Sequence, residues 1–328
     1  MLIEIGKSEG RPIGIDLDVL IRTRLLVQAN SGGGKSWLLR MLAERLFGKV
    51  PVVILDLEGE FATLREKYDY VLVGKGGETP ADVRSAALVA RKILELRASA
   101  VCDLYEMRAG DRHRWARLFL DALIDAPKSL WGPLVVMVDE AHVLAPEKGE
   151  SEAADAVISL ATRGRKRGFC SILATQRLGK LRKDAAAELL NVLIGPTFID
   201  IDCERAVEAL GIPRSERAAF LAAVKVMPPG NFFALGRAIS TERARVVVGR
   251  VQTTHPEPGD SRHAAEPPPP SARIRELLPK LADLPREAET KAKTEAELRG
   301  TIRELEGRLR QAERAEKVTP QVVDRPVL

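Results

Sequence analysis

The stretch that decides the fold is Val27-Gln-Ala-Asn-Ser-Gly-Gly-Gly-Lys-Ser-Trp-Leu-Leu39. The apolar run Leu25–Gln28 predicts a strand that leads into it, and apolar residues at helical spacing predict a helix over residues 35–47. Between them, three consecutive glycines let backbone N–H groups turn towards one point, where the helix N-terminus adds partial positive charge. This strand, loop and helix together predict a cradle for phosphate groups.

The cradle predicts a site for ATP and Mg²⁺. We expect Lys35 to reach the β- and γ-phosphates and the Ser36 hydroxyl to ligate Mg²⁺. The first cradle position, where glycine is usual, is Ala29, and a small residue suffices there. The residues assigned to nucleotide binding are Asn30, Ser31, Gly32, Gly33, Gly34, Lys35, Ser36 and Trp37.

Two acids end a second predicted strand, over residues 134–139. This run is continuously apolar up to its last residue, as in a strand that is buried on both faces. Ligands bind at the carboxyl edge of such parallel sheets. We expect Asp139 to hold the Mg²⁺ shell and Glu140 to orient or deprotonate the water that attacks the γ-phosphate. His142 is interpreted as a polar residue at the start of the next helix, with a catalytic role as the alternative.

A third predicted strand, over residues 171–175, is followed by Gln176. An amide at this position can sense the γ-phosphate and report its loss to a neighbouring segment. Just before the strand, residues 162–168 hold four basic side chains within five positions. An arginine there can stabilise a transferred phosphoryl group, in its own chain or in a neighbour, or it can contact a nucleic-acid backbone. A solvated basic turn is the remaining alternative.

Acidic residues also follow the predicted strand Val52–Asp56, in the sequence Asp56-Leu-Glu-Gly-Glu-Phe61. In a parallel sheet they face the same edge as the phosphate cradle. The chemistry of these residues leaves two interpretations open, a part of the site and a plain acidic loop.

Short apolar runs alternate with longer amphipathic stretches up to about residue 252. This alternation predicts an α/β fold with a mostly parallel sheet covered by helices on both faces. Two closing strands, Asn231–Gly236 and 243–251, are expected to be antiparallel. The other predicted strands are 70–73 and 100–104, and the other predicted helices are 81–96, 112–124 and 152–163.

The composition changes beyond residue 254. Residues 255–271 include four consecutive prolines and predict an extended linker. Residues 272–316 predict a charged helical segment, and 317–328 a disordered tail, so that the α/β domain occupies residues 1–254. A heptad pattern extends over about two heptads of this segment, so a coiled coil and a lone charged helix both stay open. The repeat consists of Leu298, Ile302, Leu305, Leu309 and Ala312.

The 328 residues carry a net charge of +5, and the basic excess lies in residues 1–255. This balance is compatible with nucleic acid but does not require it. The three cysteines form no metal or disulfide pattern, and reduced thiols are expected. No apolar run reaches membrane-spanning length and no signal peptide is recognised, so we expect a cytoplasmic protein without a membrane partner.

Superfamily 2 helicases share part of this pattern. Residues 29–36 fit their A-x-x-G-x-G-K-[ST] form, and Asp139-Glu-Ala-His142 matches their DEAH box. Such helicases need a second RecA-like domain with its own arginine motif, whereas only about 60 residues lie between Ile194 and the linker. The basic run also precedes the strand that ends in Ala174-Thr-Gln, inside the first domain. We therefore set this resemblance aside.

The order of all five motifs resembles that of the HerA/FtsK ATPases over about residues 15–252, and most closely the HerA-like branch of bacteria and phages. Asp56-x-x-Gly-Glu-Phe61 matches the D-x-x-G-E-[YF] element of that branch. Gly164-Arg-Lys-x-Gly168, which leads into Ala174-Thr-Gln-Arg177, resembles its characteristic run.

The resemblance implies a RecA-like domain that forms a ring, usually a hexamer, and moves double-stranded DNA through its centre. It also implies that an arginine of a neighbouring subunit completes each ATP site. Arg165 is the best positional match, and Arg163 and Arg167 are the alternatives. HerA proteins usually carry an N-terminal β-barrel that docks a nuclease, whereas 28 residues precede the cradle here, so we expect no barrel or one or two of its strands.

The predicted activity is ATP hydrolysis, with Lys35, Glu140, Gln176 and Arg165 as catalytic residues. The first hypothesis is a homo-oligomeric translocase on double-stranded DNA. The alternative is a nucleotide-gated scaffold for an effector or nuclease, docked through the charged C-terminal helix. A small-molecule kinase is set aside because no acceptor-binding segment is recognised.

Overall fold

The computed structural model describes residues 1–256, 269–272 and 274–276, together with isolated positions between 290 and 310. The chain divides into two compact units, Met1–Leu284 and Pro285–Leu328. The isolated positions belong to the second unit and are helical. Most of the predicted linker (255–271) and charged segment (272–316), and all of the predicted tail (317–328), lie outside the described residues.

Eleven strands form one sheet in the part of the chain that the structure describes. Most of them coincide with apolar runs of the sequence, because a strand in the middle of a sheet is covered on both faces. In chain order they are β1 (Leu2–Ser8), β2 (Arg11–Asp16), β3 (Leu25–Gln28), β4 (Val52–Asp56), β5 (Val71–Val73), β6 (Ala100–Asp103), β7 (Leu134–Val138), β8 (Phe169–Thr175), β9 (Asn191–Ile194), β10 (Asn231–Gly236) and β11 (Ser240–Val248).

The strand order is β2-β1-β11-β10-β9-β3-β8-β7-β4-β6-β5. The seven strands from β9 to β5 are parallel, and the four strands at the other end pair antiparallel. The prediction of a mostly parallel sheet with antiparallel closing strands is confirmed. Two strands, β1 and β2, precede β3 and the cradle, and they form the antiparallel end of the sheet with β10 and β11.

The helices connect these strands. They are α1 (Leu17–Thr23), α2 (Lys35–Leu46), α3 (Ala86–Leu96), α4 (Ala109–Ile124), α5 (Ala141–Leu144), α6 (Ala154–Arg163), α7 (Lys183–Ala186), α8 (Asp200–Ala209) and α9 (Arg217–Lys225). Short 3₁₀ turns occupy Ala62–Glu66, Lys128–Leu130, Gly164–Arg167 and Leu178–Lys180.

Each face of the sheet carries its own apolar core. Val53 and Leu55 of β4 belong to one core with residues of α3, α4 and α6. Val52 and Ile54 belong to the other core, with residues of α1 and α2. Because successive side chains of a strand point to opposite faces, a strand covered on both sides must be apolar throughout. The expected cover of helices on both faces is therefore confirmed.

The structure departs from the predicted elements in places where the sequence signal is short. The helix predicted over 81–96 begins at Ala86, because Ser85 closes a turn on Asp82. No bounds were predicted from the sequence for the strands β1, β2 and β9 or for the helices α1, α7, α8 and α9. Among the described residues, no helix is both long and apolar enough to span a bilayer.

Some of the described residues that follow β11 within the first unit are buried. Thr253 is buried against α2, where its backbone N–H donates to Glu44. Ile274, within the predicted charged segment, is buried in the core that contains α3 and α4. The first unit therefore buries residues on both sides of the predicted linker.

Candidate nucleotide site

Three neighbouring strands bring the predicted site residues together. The cradle follows β3, Gln176 follows β8, and Asp139 and Glu140 follow β7. Strand β8 lies between β3 and β7, and all three are parallel. The loops at their carboxyl ends therefore meet at one edge of the sheet, which places Gln176 between the cradle and the two acids.

The cradle needs glycine at two positions. Gly34 has φ of +95°, and a Cβ there would lie 2.8 Å from the backbone nitrogen of Gly230. At Gly33 a Cβ would lie 2.8 Å from the carbonyl oxygen of Asn30. Any side chain at either position would thus fill the turn that opens the N-terminus of α2.

Ala29 shows why the first cradle position accepts alanine. It is fully buried, and a Cβ built on Gly33 or Gly195 would lie 2.9 or 2.8 Å from its methyl group. The methyl group therefore fills the space that these two glycines leave. A larger side chain at this position would displace the loop.

Lys35 forms ion pairs with both acids of β7. Its Nζ contacts Asp139 Oδ1 and lies 3.0 Å from Glu140 Oε1, and the ammonium group is almost completely buried. Burial lowers the pKa of Lys35, but the charges of Asp139 and Glu140 outweigh it and the net pKa lies above the ordinary value. The ammonium group is therefore charged and lies against the two acids that follow β7.

Asp139 has an oxygen to spare. Its side chain is fully buried, and among the described residues Oδ2 accepts no hydrogen bond. Burial raises the pKa of Asp139 to about 6. A buried carboxylate oxygen without a hydrogen bond is uncommon and costly, unless it faces a ligand. Together with the Ser36 hydroxyl it fits the hard oxygen ligands that Mg²⁺ prefers.

Glu140 is held in a strained backbone conformation. It has φ of 46° and ψ of 45°, a left-handed geometry that costs a residue other than glycine about 1–3 kcal/mol. Burial raises the pKa of Glu140, but the hydrogen bond from His142 and the charge of Lys35 bring it down to about 2. Glu140 is therefore ionised, as a group that accepts a proton from water must be.

The residues assigned to the site from the sequence did not include His142 and Thr175, which contact each other beside Glu140. His142 Nδ1 lies 3.1 Å from Glu140 Oε2 and 2.9 Å from Thr175 Oγ1. The backbone N–H of Gln176 donates to the same Glu140 oxygen at 3.2 Å. The only sequence signal for the contacts of His142 and Thr175 is that each residue lies within two positions of a predicted site residue.

The loop after β4 is ordered by Asp56. One oxygen accepts a hydrogen bond from the N–H of Gly59 at 2.8 Å, and the other accepts one from Phe61 at 2.9 Å. Burial and the charge of Asp103 raise the pKa of Asp56 to about 8. Asp56 therefore shapes its own loop, and the loop lies at the same edge of the sheet as the cradle.

The basic run lies at the opposite edge of the sheet. Its 3₁₀ turn, Gly164–Arg167, directly precedes β8, whereas the site follows the last residue of that strand. Seven residues of strand separate the two by about 20 Å. Arg165 is exposed there, and so is Arg163. The structure therefore does not bring Arg165 to the site of its own chain.

Arg167 differs from its two neighbours. Its Nε donates to the carbonyl oxygen of Ile124, and its guanidinium lies 5.2 Å from the ring centre of Trp131. These contacts attach the turn to the end of α4. Of the three candidate arginines, Arg163 and Arg165 are the exposed ones.

The remaining residues of the predicted cradle are placed around its mouth. Ser31 and Gly32 are exposed, and Asn30 is fixed by its N–H, which donates to Pro196 at 2.8 Å. The Trp37 indole N–H donates to the carbonyl oxygen of Gly249 at 2.9 Å, so this side chain is engaged by the chain that follows β11.

Residues 3–152 match the family model described as "Helicase HerA, central domain". None of the curated proteins matches the sequence. The solved structure of VirB4 from Thermoanaerobacter pseudethanolicus is similar, with a TM-score of 0.57 and 14% identity over 75% of this chain and 96% of that one.

The bacterial conjugative coupling protein TrwB is also similar in its unbound monoclinic form, with a TM-score of 0.53 and 13% identity. TrwB in complex with the non-hydrolysable GTP analogue GDPNP gives a TM-score of 0.55 and 13% identity. Both comparisons cover 78% of this chain and 91% of TrwB. At these identities the likeness concerns the fold, a sheet with helices on both faces.

Proposed function

We propose, from the premise that residues 3–152 belong to the HerA-type P-loop ATPases, that this chain is an ATP-hydrolysing motor that works as a ring on double-stranded DNA. The observation that carries the proposal is the set of contacts at the carboxyl edge of the sheet. There Lys35 pairs with Asp139 and Glu140, and the N–H of Gln176 reaches Glu140. These groups are those that bind, cleave and sense a γ-phosphate.

The cradle binds the phosphates through the N–H groups at the start of α2, since the first N–H groups of a helix have no partner within it. Lys35 then exchanges its carboxylates for phosphate oxygens. Ser36 and Asp139 are the residues that would hold Mg²⁺, because Asp139 Oδ2 is buried without a hydrogen bond. When bound, the ion neutralises charge on the β- and γ-phosphates.

In the hydrolytic step a water oxygen forms a bond to the γ-phosphorus, and the bond from that phosphorus to the bridging oxygen of ADP breaks. Glu140 accepts the proton that the water loses. The low pKa of Glu140 keeps the carboxylate ionised before the reaction. Gln176 follows β8, which lies between β3 and β7, and in this proposal its amide responds when phosphate leaves.

Arg165 acts in a neighbouring subunit in this proposal. It is exposed and lies about 20 Å from the site of its own chain, so it can contact a nucleotide only across an interface between copies. We take 1–254 as the motor domain, with 255–271, 272–316 and 317–328 as linker, charged segment and tail, and a nuclease or other effector as a further partner. A hexamer is the expected ring.

The test compares ATP turnover with and without double-stranded DNA at low salt, where backbone contacts are strongest. The mass in solution is measured on the same sample with ATP. The proposal expects a ring and stimulated turnover, which Lys35→Ala abolishes. Turnover that DNA does not stimulate, with no DNA binding, would favour the nucleotide-gated scaffold. Turnover that survives both Lys35→Ala and Glu140→Gln would contradict the site itself.

Subunit mixing tests the arginine. Arg165→Ala and Lys35→Ala are each expected to be inactive as pure rings. In a mixed ring, a wild-type cradle in one subunit meets a wild-type arginine in the next, so mixing restores part of the turnover. Lys166→Ala, an exposed neighbour in the same turn, is the matched control and should leave turnover within about 2-fold. If a pure Arg165→Ala ring is active, Arg163 is the residue that completes the ATP site of the neighbouring subunit.

A further inference from the structure

Glu140 has two sets of partners, one on each carboxylate oxygen. Oε1 lies 3.0 Å from the Lys35 ammonium group. Oε2 accepts a hydrogen bond from the N–H of Gln176 at 3.2 Å and lies 3.1 Å from His142 Nδ1. The first partner is the one that the phosphates of a nucleotide would take away.

The carboxylate fixes the tautomer of His142. A lone pair on Nδ1 would face a negatively charged oxygen 3.1 Å away, so this nitrogen carries the proton. The Nδ1–H group therefore donates to Glu140. Thr175 Oγ1, at 2.9 Å from the same nitrogen, is its second acceptor.

Thr175 connects this contact to the strand that carries Gln176. It is fully buried as the last residue of β8, and its hydroxyl oxygen accepts a hydrogen bond from the N–H of Arg177 at 2.9 Å. The histidine thus lies between the acid that follows β7 and the turn that follows β8.

Little else restrains Glu140. Its backbone is in the left-handed region, and the helix that follows, α5, is only four residues long. A strained turn persists only where its surroundings hold it. The partners of Oε2 remain when Lys35 turns to phosphate, and among them His142 provides the only side chain in the described part of the chain.

We propose that His142 is a positioning residue that, through Nδ1–H, holds the Glu140 carboxylate against the end of β8 while the nucleotide is bound. The inference rests on the proposed ATPase activity. Its consequence is that the base stays aimed at the attacking water after losing Lys35. Misplacement of a catalytic group by about 1 Å can cost about 100-fold in rate.

The first experiment measures steady-state ATP turnover and ATP affinity for His142→Leu and His142→Asn. Leucine removes the donor, so kcat is expected to fall about 10- to 100-fold while KM changes less than about 2-fold. The amide of asparagine can place an N–H near the position of Nδ1, so His142→Asn recovers most of the loss. His113→Leu, at a histidine on α4, is the matched control and leaves kcat unchanged.

The second experiment uses the partner groups. Thr175→Val is expected to lower kcat by less than His142→Leu, since His142 can still donate to Glu140, and Thr175→Ser restores it. In a Glu140→Gln background, His142→Leu should cause no further loss in single-turnover rate, because the histidine acts through the glutamate. Thermal unfolding of every variant is followed in parallel. If His142→Leu does not fold, the turnover of His142→Asn and of the two Thr175 variants still tests the inference.

Three results would overturn the inference. One is an active wild type in which His142→Leu lowers kcat no more than His113→Leu. Another is His142→Asn as slow as His142→Leu. The third is an additional rate loss on top of Glu140→Gln. Failure of the proposed function itself looks different, because the wild-type protein would then show no turnover that Lys35→Ala abolishes.

Discussion

Helix α2 carries two buried ionic clusters, and they differ in what is left unbonded. The nucleotide cluster comprises Lys35 with Asp139 and Glu140. The strap cluster comprises Arg40 and Glu44 with Thr253, a residue of the chain that follows β11. The charged side chains of both clusters are at most 5% exposed. The members on α2, Lys35 in one cluster and Arg40 and Glu44 in the other, lie within three helical turns of each other.

The strap cluster is tied to the backbone. Glu44 accepts hydrogen bonds on both oxygens, from the N–H of Gln252 at 2.8 Å and from the N–H and hydroxyl of Thr253 at 2.9 and 2.7 Å. Arg40 donates to the Thr253 hydroxyl at 2.8 Å and to the carbonyl oxygen of Glu60. These contacts join α2 to the loop after β4 and to the end of the domain.

The contrast between Glu44 and Asp139 separates structure from function. Both carboxylates are buried, but Glu44 has both oxygens bonded, whereas Asp139 Oδ2 has no hydrogen bond among the described residues. Because desolvating a charge costs free energy, an oxygen left unbonded in this way points to a ligand that completes it. A saturated carboxylate has nothing to offer a ligand.

The largest expected effect comes from making the same substitution in both clusters. Glu140→Gln removes the proton acceptor and should lower kcat about 10³-fold with ATP binding retained. Glu44→Gln, the matched change, turns an NH₂ group towards backbone N–H donors and should cost about 2 kcal/mol of unfolding free energy. Turnover of the folded Glu44→Gln protein should stay within about 3-fold. Steady-state kinetics and urea unfolding are measured for both variants. An equal loss of turnover in both would contradict the functional difference between the two clusters.

A smaller effect is expected when the strap cluster loses its cation. Arg40→Leu leaves Glu44 buried without its charged neighbour and frees the carbonyl oxygen of Glu60, which should cost about 3 kcal/mol of unfolding free energy. Urea unfolding monitored by circular dichroism measures it. Arg91→Leu, which removes an exposed i,i+4 pair with Glu95 on α3, is the control and should cost no more than about 0.5 kcal/mol. Equal losses in the two variants would show that the strap is not a restraint.

The smallest expected effect is the loss of a single hydroxyl. Thr253→Val removes the group that joins Arg40 to Glu44 but keeps the shape of the side chain and its backbone N–H donor. The expected cost is about 1 kcal/mol in unfolding free energy. Thr162→Val, an exposed hydroxyl on α6, should stay within about 0.5 kcal/mol. If the Thr253→Val protein is as stable as the wild type, the backbone contacts of residues 252 and 253 with Glu44 account for the stability of the strap cluster.

Most of the parallel strands and the cradle were predictable because their signals are local. A buried parallel strand is mostly apolar, and β4, β7 and β8 each coincide with a mostly apolar run. The helices α1, α8 and α9 and the four-residue strand β9 were missed because each is short or only weakly periodic.

The site was predictable as far as each motif could be recognised within a few residues. Lys35, Asp139, Glu140 and Gln176 all meet at the carboxyl edge of the sheet. Arg165 was predicted to complete the site of a neighbouring subunit, and in its own chain it lies at the opposite edge of the sheet. The direction of a strand decides which of its two flanking segments reaches the site, and for β8 that segment contains Gln176.

The sequence by itself determined the chemistry, since a phosphate cradle, a pair of acids and an amide are each specified by residues adjacent in the chain. The tertiary structure alone decided which groups share a contact. It placed β8 between β3 and β7. It brought His142 into contact with Glu140 and Thr175. It also brought Thr253, which follows β11, into contact with Arg40 and Glu44. Thr253 lies 213 residues beyond Arg40, and no local pattern encodes a hydrogen bond across that distance. Such pairs are set by the order and direction of the strands, which follow from packing the whole sheet.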